Sequence, residues 1–310
     1  MSKMTRNVLL LAKIEVTPGT DPVPTAGVNA MLVELKNVQP LRAETTQRNL
    51  TRPYFGASGT LTVGTSSQIE FDVELASSGA AGTAPAFKDL LLACATSETV
   101  SAGVSATYAP VTSPLKTVTI YYYLDGILHK FIGCKGSAQL NVQAKSIPKI
   151  SFSFQGTYTA PTDTALPSGA SYTAFKDPKP VNSANTPTLT LHSVALISAG
   201  FSLDFGNALA VRNLIGLDEI AMTDRSTTGS VTFEATSVAA KAWHEAVRNN
   251  STGAFALTHG TGAGNIIELT ASKVQISDIS YSEDTGVQMM QTNLTFLPTT
   301  GGDEFSLVFK

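Results

Sequence analysis

Residues 131–158 read FIGCKGSAQLNVQAKSIPKISFSFQGTY. Near the end of this stretch Ile150, Phe152 and Phe154 fall on one side, and Lys149, Ser151, Ser153 and Gln155 on the other. A period of two marks a strand with one face buried and one wet. Ala144-Lys145-Ser146-Ile147-Pro148 connects it to a preceding strand that starts at Phe131. A weaker version returns downstream, where Ala271-Ser272-Lys273 stands for Gly133-Cys134-Lys135. Met290, Leu294 and Phe296 stand for Phe152, Gly156 and Tyr158, while Thr292 departs from Phe154. Both versions run into Pro-Thr, at Pro161-Thr162 and Pro298-Thr299. The chain reads as one domain written twice.

Upstream, Lys116 to Phe131 is a hairpin, turned at Asp125-Gly126, a type I′ signal. Gln68 to Leu75 is the cleanest strand, with Glu70, Asp72 and Glu74 alternating against four apolar residues. Ala84 to Ala95 reads as a helix with Pro85 first and Phe87, Leu90, Leu91 and Cys94 as its buried stripe. Asn7 to Val16 and Asn29 to Leu35 are strand candidates around a turn-rich loop. Gln39 to Gly59 is polar and has no apolar period, so it is either disordered or a reaching arm or loop.

Downstream, Thr159 to Thr188 carries five prolines and reads as a semi-extended linker. The expected division is 1–160, a linker over 161–188, and 189–310. The second part repeats the order of the first. Gly206 to Ser226 is polar and irregular, and its Arg212-Asn213-Leu214 echoes Arg48-Asn49-Leu50. A strand over Gly229 to Thr236 follows, then a helix over Ala239 to Asn249 with Ala239, Ala242, Trp243 and Val247 on one side. A hairpin of Ala254 to Leu257 with Asn265 to Leu269 then leads into the closing strands.

At 310 residues the chain can bury one large core or two ordinary ones. Its 43% apolar content suits a packed protein, and only 15% of residues are charged. A net charge of −3 argues against a broad nucleic-acid-binding surface. The charge is uneven: residues 1–160 hold 13 Lys/Arg and 10 Asp/Glu, and residues 161–310 hold 8 and 14. Unlike halves could attract each other around a ring, or the difference is drift. Two cysteines, Cys94 and Cys134, make no disulfide framework, so a reducing compartment is expected. The apolar run Val8 to Ala12 is too short for a signal-peptide core, and no window suits a membrane span.

The sequence offers little chemistry. His259-Gly260-Thr261-Gly262-Ala263-Gly264 fails as a dinucleotide fingerprint because Asn265 stands where the third Gly is needed. Ser113/Lys116 and Ser146/Lys149 have the Ser-x-x-Lys spacing but lie in Pro-containing segments that precede strands. The four histidines are scattered. No catalytic, cofactor or metal residue is assigned. The row Glu70, Asp72, Glu74 is different, because three carboxylates on one strand face repel. That face must be wet or opposed by cations, as an ordinary exposed sheet or as the lining of a channel.

Three passages resemble the tail tube proteins of long-tailed bacteriophages. They are Ala12 to Val33 with its Thr17-Pro18-Gly19-Thr20 turn, the hairpin Tyr121 to Phe131, and Gly133 to Ser137 with Ile147 to Tyr158. The resemblance covers roughly the first 160 residues. It implies two tandem β-sandwich or partial-barrel domains, each with one helix, and no enzymatic activity or cofactor. It implies rings around a lumen, stacked into a non-contractile tail tube. With two domains per chain, three copies would close a pseudo-sixfold ring. Lumen-lining candidates are Glu70, Asp72, Glu74, Lys149, Ser151, Ser153 and Gln155, and inter-ring candidates are Arg42, Arg48, Arg52 and Arg212. The implied partners are copies of the chain, tail-terminator and tail-tip proteins, and the tape measure protein and genomic DNA in the lumen, with no membrane. Assembly is expected in the host cytoplasm and residence in the virion tail. The other reading is a glycan- or receptor-binding β-sandwich with Tyr121, Tyr122 and Tyr123 as its aromatic cluster.

Overall fold

The computed structural model describes residues 3–310. The first half contains β1 (Val8–Ile14), α1 (Ala26–Asn29), β2 (Ala30–Met31), β3 (Glu34–Gln47), β4 (Thr60–Glu74), α2 (Lys88–Ala93), β5 (Thr96–Ser101), β6 (Ser105–Pro110), β7 (Val118–Leu124), β8 (Ile127–Gln143), β9 (Lys149–Thr157) and β10 (Thr162–Asp163). The second contains β11 (Thr188–Leu191), β12 (Val194–Ala195), β13 (Ser198–Asp204), β14 (Asn207–Leu214), β15 (Leu217–Arg225), β16 (Thr228–Glu234), α3 (Trp243–Arg248), β17 (Thr252–His259), β18 (Ile267–Asp284), β19 (Val287–Phe296) and β20 (Ser306–Phe309). The protein is mainly β.

The alternation that marks residues 149–157 as a strand is carried into the packing. Ile150, Phe152 and Phe154 are buried against Phe71 of β4, with ring centroids of Phe71, Phe152 and Phe154 5.8–6.0 Å apart. Each such side chain contributes about 2 kcal/mol by leaving water. The β7–β8 turn is Asp125-Gly126 with φ of 43° and 88°, the positive values a type I′ turn requires.

Each half is a two-layer sandwich; α2 packs into the core of the first, which also holds the one-turn α1 where a single helix was expected, and α3 turns Trp243 and Ala246 into the core of the second. In the first, pairing runs β2-β1-β7-β8-β9-β4-β3; in the second it runs β12-β11-β17-β18-β19-β16-β13. The long strands β8 and β18 serve both layers. Register shifts between Ile132 and Lys135, and between Ser277 and Ile279, bend them from one sheet into the other.

Two junctions fuse the halves. Strand β13 adds to the free edge of β8, pairing Phe201 with Val142 and Leu203 with Leu140. Strand β20 lies between β18 and β6, and its Phe309 packs edge-on against Phe87 and Tyr108. The segment between the halves is tied down as well: Val181 is buried and exchanges backbone hydrogen bonds with Lys145 and Ser146.

Several expectations change. Gln39 to Gly59 takes the arm form of its two readings: β3 runs to Gln47 and pairs with β4 as a projecting hairpin, and residues 48–59 form its irregular tip. Gly206 to Ser226 is likewise the hairpin β14–β15. Neither shows an apolar period because neither buries a whole face. The helices are shorter than read, with Pro85 in a preceding turn and Ala239 outside α3. Asn29 to Leu35 breaks into the end of α1, the two-residue β2 and the start of β3. Thr292 takes a core position by donating its hydroxyl to the Ser277 carbonyl at 2.8 Å.

Candidate functional site: a polar sheet face and two arms

Eight antiparallel strands, in the order β3-β4-β9-β8-β13-β16-β19-β18, form one continuous sheet through both halves. One face is apolar and covers the core. The other is polar because each strand alternates: Ser137, Gln139 and Asn141 on β8, Ser202 and Asp204 on β13, Thr232 and Glu234 on β16, and Gln291 and Asn293 on β19.

All seven lumen candidates stand on this face as cross-strand neighbours. Glu74 is opposite Lys149, Asp72 opposite Ser151, Glu70 opposite Ser153, and Gln68 opposite Gln155. The carboxylate row is opposed by cations. Lys36 reaches Asp72 at 2.8 Å, and Lys149 pairs with Glu34. The Lys149 ammonium is held above its ordinary pKa, chiefly by the Glu34 carboxylate. Gln68 donates to Glu70 at 2.7 Å, and Arg42 donates to Gln68 at 2.6 Å. Sequence reasoning missed Glu34 and Lys36; the signal was their alternation with Leu35, hidden by a bulge that skips Lys36.

The four inter-ring candidates fall on two arms rather than in one cluster. Arg42, Arg48 and Arg52 belong to the β3–β4 arm, with Arg52 5.9 Å from the Tyr54 ring centre. Arg212 belongs to the β14–β15 arm and pairs with Glu219 at 2.8 Å. The arm ends carry exposed apolar side chains: Tyr54 and Phe55 on the first, Leu214 and Ile215 on the second. Both arms leave the polar sheet at the end where Ser67 meets Gly156 and Asp204 meets Thr228. The turns after β8 and β18 lie at the opposite end.

A loop at the edge of the first half is pinned by two carboxylates. Glu15, buried, accepts from Thr117 Oγ1, Thr119 Oγ1, Gly19 N and Gly133 N at 2.6–2.8 Å. Asp21 accepts from Tyr121 and, at 3.0 Å, from Lys130. Burial pushes the Asp21 carboxyl up, but these donors and the Val23 amide outweigh it and hold it below the usual range. Tyr121, Tyr122 and Tyr123 are all buried in this region, so they offer no exposed stacking surface for a sugar. Cys94 and Cys134 are buried free thiols, and burial raises both pKa values. No helix among the described residues is long and apolar enough to cross a membrane.

A comparison with curated proteins returns no match. A family model described as phage tail tube protein matches residues 5–297, nearly the whole chain. With a two-layer β fold, a continuous polar sheet face and projecting arms behind that match, the chain belongs to the phage tail tube protein family, structural components of the virion tail.

Proposed function

We propose that copies of this chain join head to tail into rings, and that the rings stack into the tube through which the phage genome passes. The observation that carries this reading is the β8–β13 junction. Among the described residues, the outer edge of β18 beyond Gln275 has no strand partner, as β8 would have none beyond Cys134 without β13. The outer edge of β3 is also unpaired among the described residues. Strands β3 and β13 both carry a bulge near their start, skipping Lys36 and Ala199. Counted from it, Val38 corresponds to Phe201. Phe201 is buried under the seam, whereas Val38 is half-exposed. A neighbouring copy that adds its β3 to β18 repeats the internal seam and removes two open strand edges.

On this reading the chain is a tail-tube domain written twice, and three copies make a ring of six similar domains. The common pairing order of the halves supports the duplication. The eight-stranded polar face then lines the lumen. Its carboxylates, Glu34, Glu70, Asp72, Glu74, Asp204 and Glu234, outnumber its cations, Lys36, Arg42, Lys135 and Lys149, and repel a polyanion, so DNA and the tape measure protein slide past. Exposed tips at one end and turns at the other suit polar stacking, with tail-terminator and tail-tip proteins at the two ends of the tube. Assembly in the host cytoplasm fits the two reduced thiols.

Negative-stain microscopy and mass photometry of the purified chain test this. Rings of three copies, growing into tubes with concentration, are expected. A chain that stays monomeric at every concentration and salt overturns the reading.

A further inference from the structure

We propose that the β3–β4 arm clasps the neighbouring copy within the same ring, in a seat equivalent to the one β14–β15 occupies on this chain's own first half. The inference rests on the ring reading above, and it assigns the arm an in-ring partner, a second copy of this chain.

The two arms are the same device. In the first, Glu44 pairs with Gly64 and Thr45 with Thr62, skipping Val63; in the second, Ala208 pairs with Asp224 and Leu209 with Met222, skipping Thr223. Counted from that shared bulge, Arg48-Asn49-Leu50 falls on Arg212-Asn213-Leu214.

The second arm is seated. Asn207 donates from its backbone to Ser137 Oγ at 3.2 Å, and from its side chain to the Gly136 and Cys94 carbonyls at 3.0 and 2.9 Å. Arg225 reaches Glu304 at 2.8 Å and the Val111 carbonyl at 3.1 Å. Ile220 is buried beneath the arm, and Asn213 donates to the Thr65 carbonyl at 3.4 Å. Asn213 also lies so close to Gly64 that a Cβ there would sit 2.6 Å from its Oδ1.

The first arm has the same build and no seat. Every residue from Leu41 to Arg52 is exposed, including Leu41 and Leu50. Arg212 has Glu219 across its hairpin, whereas Arg48 faces Gly59 and has no carboxylate partner among the described residues. When β3 adds to a neighbour's β18, the chain carries the arm across β18 and β19, as β13 carries β14–β15 across β8 and β9. Asn49 and Arg48 then arrive at Asp224, the counterpart of Gly64. The charges agree: three arginines and Glu44 on the arm meet the neighbour's second arm, which bears Asp218, Glu219 and Asp224, and Asp278 of β18 beneath it.

The test is a chain carrying Asn49→Cys and Asp224→Cys, oxidised after assembly and run on a non-reducing gel beside microscopy of the same sample. A covalent ladder that stops at the number of copies per ring supports the clasp. A ladder running past that number places the contact between rings and overturns it, as do intact rings without cross-links. A sample with neither rings nor cross-links fails the ring reading itself, and the clasp with it. As a second variant, Arg48→Glu is expected to raise the concentration needed for ring formation about tenfold, and Asp224→Arg is expected to restore it. Arg48→Glu rings that form normally but do not stack overturn the proposal.

Discussion

Phe201 of β13 lies opposite Val142 of β8, and this pair holds the two halves of the chain in one sheet. Phe201 is buried and stacks on Phe255 with centroids 4.6 Å apart, so it ties the seam to the second core. Phe201→Ala removes a large side chain from a packed site on both sides of the seam. A loss of about 3–5 kcal/mol is expected. Denaturant unfolding measures it, and hydrogen exchange at residues 139–143 should rise with it. A loss under about 1 kcal/mol would show that the seam is held elsewhere, at β20.

Glu15 makes a sharper case because its four donors leave no room for an amide. Gly133 N donates to Oε1 and Gly19 N to Oε2. The threonine hydroxyls can turn to accept, but the backbone N–H groups cannot. Whichever way Glu15→Gln is oriented, its NH2 meets a backbone donor. The isosteric change therefore costs about 1–3 kcal/mol, read from urea unfolding. Unchanged stability would refute the donor assignment.

What the sequence made legible follows from which residues bury a face. Ile150, Phe152 and Phe154, and the Asp125-Gly126 turn, announce themselves through period and backbone conformation. The arms do not, because their strands are held by pairing to each other while most of their side chains face solvent and Ile220 alone among their large apolar side chains is buried. The sequence match of Gly133-Cys134-Lys135 with Ala271-Ser272-Lys273 is also offset. By the register shifts against β7 and β17, Phe131 and Cys134 correspond to Ala271 and Val274, two residues later than the sequence match places them. Bulges leave no periodic trace. The cations opposing Asp72 and Glu74 come from β3 and β9, so the polar ladder becomes visible only once the register is known.

His259 makes the interdomain segment sensitive to acid. Its Nδ1 is 2.9 Å from Thr186 Oγ1 and its Nε2 3.1 Å from the Lys179 carbonyl, so the neutral ring accepts from the hydroxyl and donates to the carbonyl. Burial lowers its pKa below the ordinary 6.5, and the same cause acts on His192. A folded pKa below the unfolded one means that the unfolded chain binds protons first as pH falls. The stability contribution is whole above pH 6.5 and declines below it. Between pH 7.5 and pH 5, about the range in which histidine titrates, proteolysis of residues 176–187 should accelerate, and His259→Gln should flatten part of that dependence. Equal cleavage at both pH values would sink the prediction.

Lys36 and Asp72 offer the cleanest measure of the charged ladder. Asp72 is almost wholly buried, with a side chain 7% exposed, whereas Lys36 is 50% exposed. Solvent screens the ammonium, so the attraction is modest, but losing it leaves a buried carboxylate without its cation. Lys36→Met is expected to cost about 1 kcal/mol. The methionine keeps most of the aliphatic stem, so packing changes little. Asp72→Asn alone leaves an amide that Lys36 no longer attracts, and the double variant removes charge from both sides. If the ion pair matters, the double variant is less destabilised than the sum of the two single changes, by about 0.5–1 kcal/mol. Additive losses would mean that the ammonium only passes over Asp72 and that the neighbouring polar groups of β4 and β9 hold the face.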